Sequence, residues 1–249
     1  MTIDLNCDMG EGMGTDAAIM PYISSANIAC GFHAGDEHTM QETVALALAN
    51  GVAIGAHPGY ADKKNFGRTE MHLTEQEVYA LVQQQVITLS KIVAAQGGSL
   101  QHVKPHGALY NQSAKDPQLA LVIAKAVYDI NPALVLFGLS GSHSIREAEK
   151  TGLKTASEVF ADRSYQEDGS LTPRSQPGAL LQSTEAALQQ VLQMVKEKTV
   201  ISLSGKSVHI KADTLCLHGD GAHAVDFAKA IQQLLQQHSI RIQPIPLEK

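Results

Sequence analysis

The chain has no tryptophan, and aromatic side chains make up only 4% of its 249 residues. Leu, Ile, Val and Ala must therefore fill a core of ordinary protein density. Cysteine is scarce, and its count of three is odd, which excludes a disulfide framework and points to a reducing compartment. No block of Lys and Arg occurs, and the net charge is −6 with a pI near 6.0, so the basic footprint of a nucleic-acid binder is missing. The opening residues Met1-Thr2-Ile3-Asp4-Leu5-Asn6 hold no basic segment followed by an apolar one, so no secretory signal is expected. No apolar run is expected to reach the roughly 20 residues that span a bilayer. These absences predict a cytoplasmic protein with neither nucleic-acid nor membrane partner.

Several familiar motifs are missing too. There is no GxGxxG and no GxSxG, which removes the dinucleotide-fold and serine-hydrolase readings. Gly205-Lys206-Ser207 resembles the end of a P-loop, but position 200 is Val where that motif needs Gly. HExxH and CxxC are absent, so a structural zinc site is not expected.

What is present is a rhythm of short apolar runs, polar loops and amphipathic segments. Strands are predicted near Thr2–Asn6, Ser24–Cys30, Val52–Ala56, Leu100–Lys104, Leu134–Leu139, Leu153–Val159 and Thr214–Leu217. Thr74-x-x-Glu77 has the form of a capping box. It is followed by Val78, Val82, Val86, Leu89 and Val93 at helical spacing, and Gly97-Gly98 ends the segment. Asp116-Pro117 opens a second helix and Asn131-Pro132 stops it. Gly221-Ala222-His223 opens a third that runs to about Gln237. Thr199–Leu203 and Val208–Ile210 flank a Gly turn and predict a hairpin. With no linker or long repeat, residues 1–249 are expected to form one domain, since a (β/α) barrel needs about 250 residues. A closed barrel and an open doubly wound sheet both fit, and in both the ligand lies beyond the carboxyl ends of the strands.

The chemistry-bearing residues gather at those ends. The first strand leads into Asn6-Cys7-Asp8-Met9-Gly10-Glu11, the second into Cys30-Gly31-Phe32-His33 and the third into His57-Pro58-Gly59-Tyr60. The fourth leads into Lys104-Pro105-His106, the sixth into Phe160-Ala161-Asp162-Arg163 and the seventh into Cys216-Leu217-His218-Gly219-Asp220. Only the fifth lacks a titratable cluster, ending in Leu139-Ser140-Gly141-Ser142. The opposite ends, such as Ala49-Asn50-Gly51 and Gln96-Gly97-Gly98, are plain. That asymmetry separates a catalytic face from a structural one. Asp8, His33 and His57 are a carboxylate and two imidazoles on successive strands, a set suited either to a divalent metal or to an acid–base cluster without one.

Taken together and in order, these strand-end motifs, with Ala26-Asn27-Ile28-Ala29 and Gly55-Ala56-His57-Pro58-Gly59-Tyr60 among them, resemble the LamB/YcsF family nearly end to end. Gly12-Met13-Gly14 departs from the family's polar-aromatic-Gly stretch. The resemblance implies a seven-stranded (β/α) barrel akin to the polysaccharide-deacetylase-like barrels. It also implies the A subunit of an ATP-dependent 5-oxoprolinase, which opens 5-oxo-L-proline to L-glutamate with partner subunits B and C. ATP would be a co-substrate held mainly by the partners, and a divalent metal is left open. On that reading Asp8, His57 and His218 activate water or move protons. Lys104 and Arg163 hold the substrate carboxylate or phosphoryl oxygens, Asp162 and Asp220 orient those groups, and His106, His33 and Asn6 complete the site. A stand-alone metal-dependent amidohydrolase or deacetylase, and a non-catalytic substrate-binding subunit, are the alternatives.

Overall fold

The computed structural model describes residues 1–217 and 224–247. In chain order its elements are β1 (Thr2–Met9), α1 (Asp16–Ile19), β2 (Ser25–Ala29), α2 (Glu37–Asn50), β3 (Ala53–His57), α3 (Glu75–Ala95), β4 (Leu100–Val103), α4 (Gly107–Lys115) and α5 (Pro117–Ile130). They continue with β5 (Val135–Leu139), α6 (His143–Thr151), β6 (Lys154–Phe160), α7 (Thr184–Leu192), β7 (Thr199–Ile201), β8 (Ser207–His209), β9 (Thr214–Leu217), α8 (Ala224–Gln237) and β10 (Arg241–Ile242).

Seven parallel strands in the order β1-β2-β3-β4-β5-β6-β9 form a ring, closed by pairing of Asp4–Cys7 with Thr214–Leu217. This is the closed barrel, not the open sheet. β10 pairs with the first residues of β1. The expected hairpin is present as β7 and β8, antiparallel and outside the ring. The strands fall where the apolar runs placed them, with shifted ends: β1 continues through Met9, β4 stops at Val103, and β6 reaches Phe160.

Local sequence accounts for the helices. Thr74 and Glu77 form the capping box at the start of α3, whose Val78, Val82, Val86, Leu89 and Val93 are buried against the barrel. By length and composition α3 could cross a membrane, which corrects the expectation that no segment qualifies. Here that apolar stripe faces the strands, as in any helix covering a barrel. The Asp116 carboxylate accepts from the N–H groups of Gln118 and Leu119 and caps α5, with Pro117 at its first position. The expected opening of α8 at residues 221–223 lies outside the described residues, and the helix is described from Ala224.

The outward residues of the strands, among them Leu5, Ile28, Ile54, Val103, Leu136, Val159 and Leu215, join the helices in the main apolar core. The lumen is different. Val135, Phe137 and Ala156 form a small separate apolar cluster, and polar groups fill the rest. The Asp4 carboxylate accepts from the hydroxyls of Ser24, Ser25 and Thr214. Asn6 donates to Glu158 and Thr214 and accepts from Asn27. His102 stacks on Phe137, with ring centroids 4.2 Å apart, and meets the Asn27 carbonyl at 2.8 Å. Strand pleating sets this up, since alternate residues of each strand face the axis.

Candidate active site

The top of this polar lumen opens into a cavity of about 890 Å³. Asp8, Glu11, His57, Lys104, His106 and Arg163 are among its lining residues, with the turns after β4 and β5. Lys104, just past β4, is 2% exposed. Its ammonium lies 2.9 Å from Asp8 Oδ1, 2.8 Å from Glu158 Oε1 and 3.2 Å from Cys216 Sγ. Burial alone would lower its pKa, but the charges around it raise it well above the usual lysine value. Lys104 is therefore a fixed cation that holds two buried carboxylates in place.

Beside it, the two imidazoles are held in defined tautomers. His57 Nδ1 lies 2.7 Å from the Lys104 carbonyl and His106 Nε2 lies 2.9 Å from the Phe66 carbonyl. A carbonyl only accepts, so each of these nitrogens carries the proton, and the other nitrogen of each ring offers a lone pair. Those two, His57 Nε2 and His106 Nδ1, are 2.9 Å apart. Glu11 Oε1 lies 3.3 Å from His106 Nδ1 and 3.8 Å from His57 Nε2, and Asp8 Oδ2 lies 3.3 Å from His57 Nε2. His33 Nε2 supports Glu11 from 3.2 Å.

The electrostatics follow from this crowding. Burial would raise the carboxyl of Asp8, but His57 and Lys104 outweigh it and hold the group well below the usual carboxylate range. Burial likewise opposes ionisation of Glu11, yet the imidazoles of His106 and His33 against its carboxylate bring it to about 2. His57 is raised, because Asp8 overcomes the burial penalty on its cation. His33 is pushed down to about 4 by burial. Asp8 with His57 is thus the ionised, protonatable pair, and His33 stays neutral.

Four of these side chains, Glu11, His33, His57 and His106, lie close enough together to be candidate metal ligands. The ring planes narrow that set. His33 and His106 stack in parallel, with centroids 3.7 Å apart and planes 6° apart, so the two rings do not aim their nitrogens at a common point, and His33 Nε2 is turned to Glu11. His57 and His106 are nearly perpendicular, at 88°, and can share an ion with Glu11. Separations of 2.9–3.8 Å among those three atoms bracket the ~3.4 Å edge of a tetrahedron with ~2.1 Å bonds. Each ring also donates its remote N–H to a carbonyl, as metal-binding histidines do. The trio expected from sequence, Asp8, His33 and His57, is therefore rearranged: Glu11 and His106 join His57, Asp8 borders the group, and His33 sits behind it.

Gly67 makes this packing possible. Its φ is +63°, and a Cβ there would lie 2.7 Å from His33 Cβ and 3.0 Å from His106 Cδ2. Only glycine combines that backbone with that proximity.

The remaining expected residues are dispersed. Asn6 is fully buried beneath the site, its amide committed to Glu158, Thr214, Asn27 and Lys104. Arg163 lines the cavity, but its guanidinium donates to the carbonyls of Ala179 and Thr172. Asp162 is not among the lining residues. His218 and Asp220 lie outside the described residues. All three cysteines are buried free thiols, and burial raises each of them, which opposes thiolate chemistry. Sequence reading gave no site role to Glu11 or Glu158. Glu158 had a signal, a lone carboxylate in the otherwise apolar or small run Ala156-Ser157-Glu158-Val159-Phe160 of β6.

A parallel barrel with an acid–imidazole cluster at its C-terminal mouth defines a barrel enzyme suited to proton transfer and hydrolysis. The family model of the LamB/YcsF family matches residues 3–249, and the chain belongs to that family. It is 57% identical over 245 residues to a protein of Tolumonas auensis named as the A subunit of 5-oxoprolinase, covering 96% of this chain and 98% of that protein. A protein of Geobacillus thermodenitrificans with the same name is 55% identical over 251 residues, covering 99% and 98%. Among solved structures, a lactam utilization protein from Thermus thermophilus superposes with a TM-score of 0.92 at 44% identity, over 98% of this chain and all of that one.

Proposed function

We propose that this chain is the A subunit of an ATP-dependent 5-oxoprolinase and carries out the ring-opening step that converts 5-oxo-L-proline to L-glutamate. The observation that carries this reading is the cluster of Asp8, Glu11, His57 and His106 on one wall of the cavity, in a chain closely related to proteins of that name.

A lactam carbonyl is a poor electrophile. Transfer of the ATP γ-phosphoryl group to its oxygen activates it. Water then adds to the carbon, the ring nitrogen takes a proton as the C–N bond breaks, and the acyl phosphate hydrolyses to glutamate and phosphate. His57, backed by Asp8, takes the proton from water and passes it across the 2.9 Å gap to His106 Nδ1, which gives it to the departing nitrogen. Such positioned groups contribute about 10²–10⁴-fold each. A divalent cation held by Glu11, His57 and His106 would take up those same lone pairs and lower the pKa of bound water, and Asp8 at its edge would then receive the proton. Lys104 holds Asp8 and Glu158, and Arg163 orders the wall that meets the substrate carboxylate. With no nucleotide motif in this sequence, ATP binds and reacts chiefly on partner subunits B and C. An ATP-consuming reaction and free thiols fit the cytoplasm.

The test is ATP-dependent glutamate release from 5-oxoproline, measured with the chain alone and with B and C added. Release only from the mixture supports the reading. No release with folded partners overturns it, and ATP-independent hydrolysis by the chain alone would replace it with a stand-alone metal amidohydrolase.

A further inference from the structure

Of the seven ring strands, β5 is the one that leads into a serine–glycine turn, Ser140-Gly141-Ser142, where the others lead into titratable clusters. In ring order β5 stands across the barrel from β1, which leads into Asp8 and Glu11, and next to β4, which leads into His106; Leu139 to His143 line the same cavity as these groups. Gly141, at φ +74°, turns the chain into α6, a helix of nine residues.

That helix begins without a cap. Ser142 stands at the N-cap position, yet its side chain makes no capping hydrogen bond. It is only 7% exposed, and its Oγ is buried with no partner, as is Nδ1 of His143 beside it. The first N–H groups of a helix have no acceptor within it and carry partial positive charge. One turn on, Arg146 Nη1 donates to the Gly141 carbonyl at 2.6 Å, which holds the guanidinium over the same turn and on the cavity lining. Ser140 is different, because its hydroxyl accepts from the Lys211 N–H at 3.0 Å. A buried polar atom without a partner is destabilising, and two on one uncapped turn beside an arginine suit a multiply charged oxyanion. Lys115 lines the same cavity, and its anions Glu70 and Asp168 come from other loops.

We propose that the β5–α6 turn, with Ser142, His143 and Arg146, is a phosphoryl-binding subsite in the same cavity as the cluster that activates water. This rests on the ATP-dependent reading above and extends it. The cavity then receives a substrate already carrying, or meeting, a tetrahedral phosphoryl group. The group bound is either the phosphoryl of the activated lactam or the terminal phosphate of a nucleotide, which share one chemistry.

The test uses the isolated chain and inorganic phosphate, with binding followed by calorimetry. Saturable binding is expected, weakened roughly 10-fold or more in Arg146→Ala and in Ser142→Ala, and partly restored in Arg146→Lys. Ser142→Ala removes one oxygen from a group with no partner, so its fold is retained even if Arg146→Ala fails to fold. Displacement of phosphate by ADP assigns the subsite to nucleotide, and displacement by a phosphonate analogue of glutamyl phosphate but not by ADP assigns it to the activated lactam; either supports it. No saturable binding, or equal affinity in wild type and both variants, overturns it. Because the measurement needs neither partners nor turnover, the subsite can stand if glutamate release fails, and fall if glutamate release succeeds.

Discussion

His57 Nε2 and His106 Nδ1 face one another at 2.9 Å, while the opposite nitrogen of each ring is tied to a backbone carbonyl. Two lone pairs and the Glu11 carboxylate therefore converge, and they require a proton or a cation among them. His57→Gln and His106→Ala are each expected to lower ATP-dependent glutamate release by the assembled enzyme by about 10²–10⁴-fold. Circular dichroism should be unchanged. Full activity in either variant would remove the cluster from the reaction.

The same convergence makes a metal test decisive. Zn²⁺ added to the metal-free chain is expected to bind at about one equivalent, with affinity at least ~10-fold lower in Glu11→Gln. Binding should weaken as pH falls through the raised value of His57, because a ligand nitrogen must be deprotonated. A flat calorimetric titration would leave a shared proton as the occupant of the cluster.

Lys104 lies between Asp8 and Glu158, nearly excluded from water. Lys104→Met leaves two buried carboxylates without their cation, and a loss of about 3–5 kcal/mol is expected in urea denaturation. Adding Asp8→Asn and Glu158→Gln should recover a large part of it. A Lys104→Met protein as stable as wild type would show that the two carboxylates find another partner or take up protons.

Asp4 gives the fold an unusual pH dependence. Burial raises its carboxyl from 3.8 to about 6 against the pull of three hydroxyl donors. A raised folded value means that the contribution is complete below about pH 3.8 and is lost as pH rises through about 6, an effect of order 3 kcal/mol. Glu11, lowered from 4.5 to about 2, acts in the opposite sense. Its contribution is present above about pH 4.5 and is lost as pH falls through about 2. Stability is therefore expected to peak at about pH 4, where the two opposing slopes cancel, and Asp4→Asn should flatten the alkaline side of the profile. A wild-type melting temperature that does not change between pH 5 and 8 would contradict this.

Close packing in the lumen gives a further check. A Cβ at Gly55 would collide with His102 Nε2, the atom that meets the Asn27 side-chain carbonyl. Gly55→Ala is expected to cost about 1–3 kcal/mol in denaturant, and a neutral result would mean that the His102 ring turns aside freely.

Much of this was readable in the chain. Apolar runs marked the seven ring strands, Thr74 and Glu77 marked the start of α3, and charged groups clustered after the strands that now surround the cavity. Local propensity and period act over a few residues, so a single sequence carries them. Ring closure was not readable, because it depends on β1 pairing with β9 more than two hundred residues away. Nor was the partnership of Lys104 with Glu158, since which inward side chains meet depends on the register between strands. His33 and Arg163 show the same limit. One is displaced behind His106 by a parallel stack, and the other turns to the carbonyls of a loop. The sequence by itself determined which residue types stand at the mouth of the barrel. The tertiary structure alone decided which of them touch and what state of ionisation they hold, because burial and neighbouring charge arise only when distant strands close into one ring.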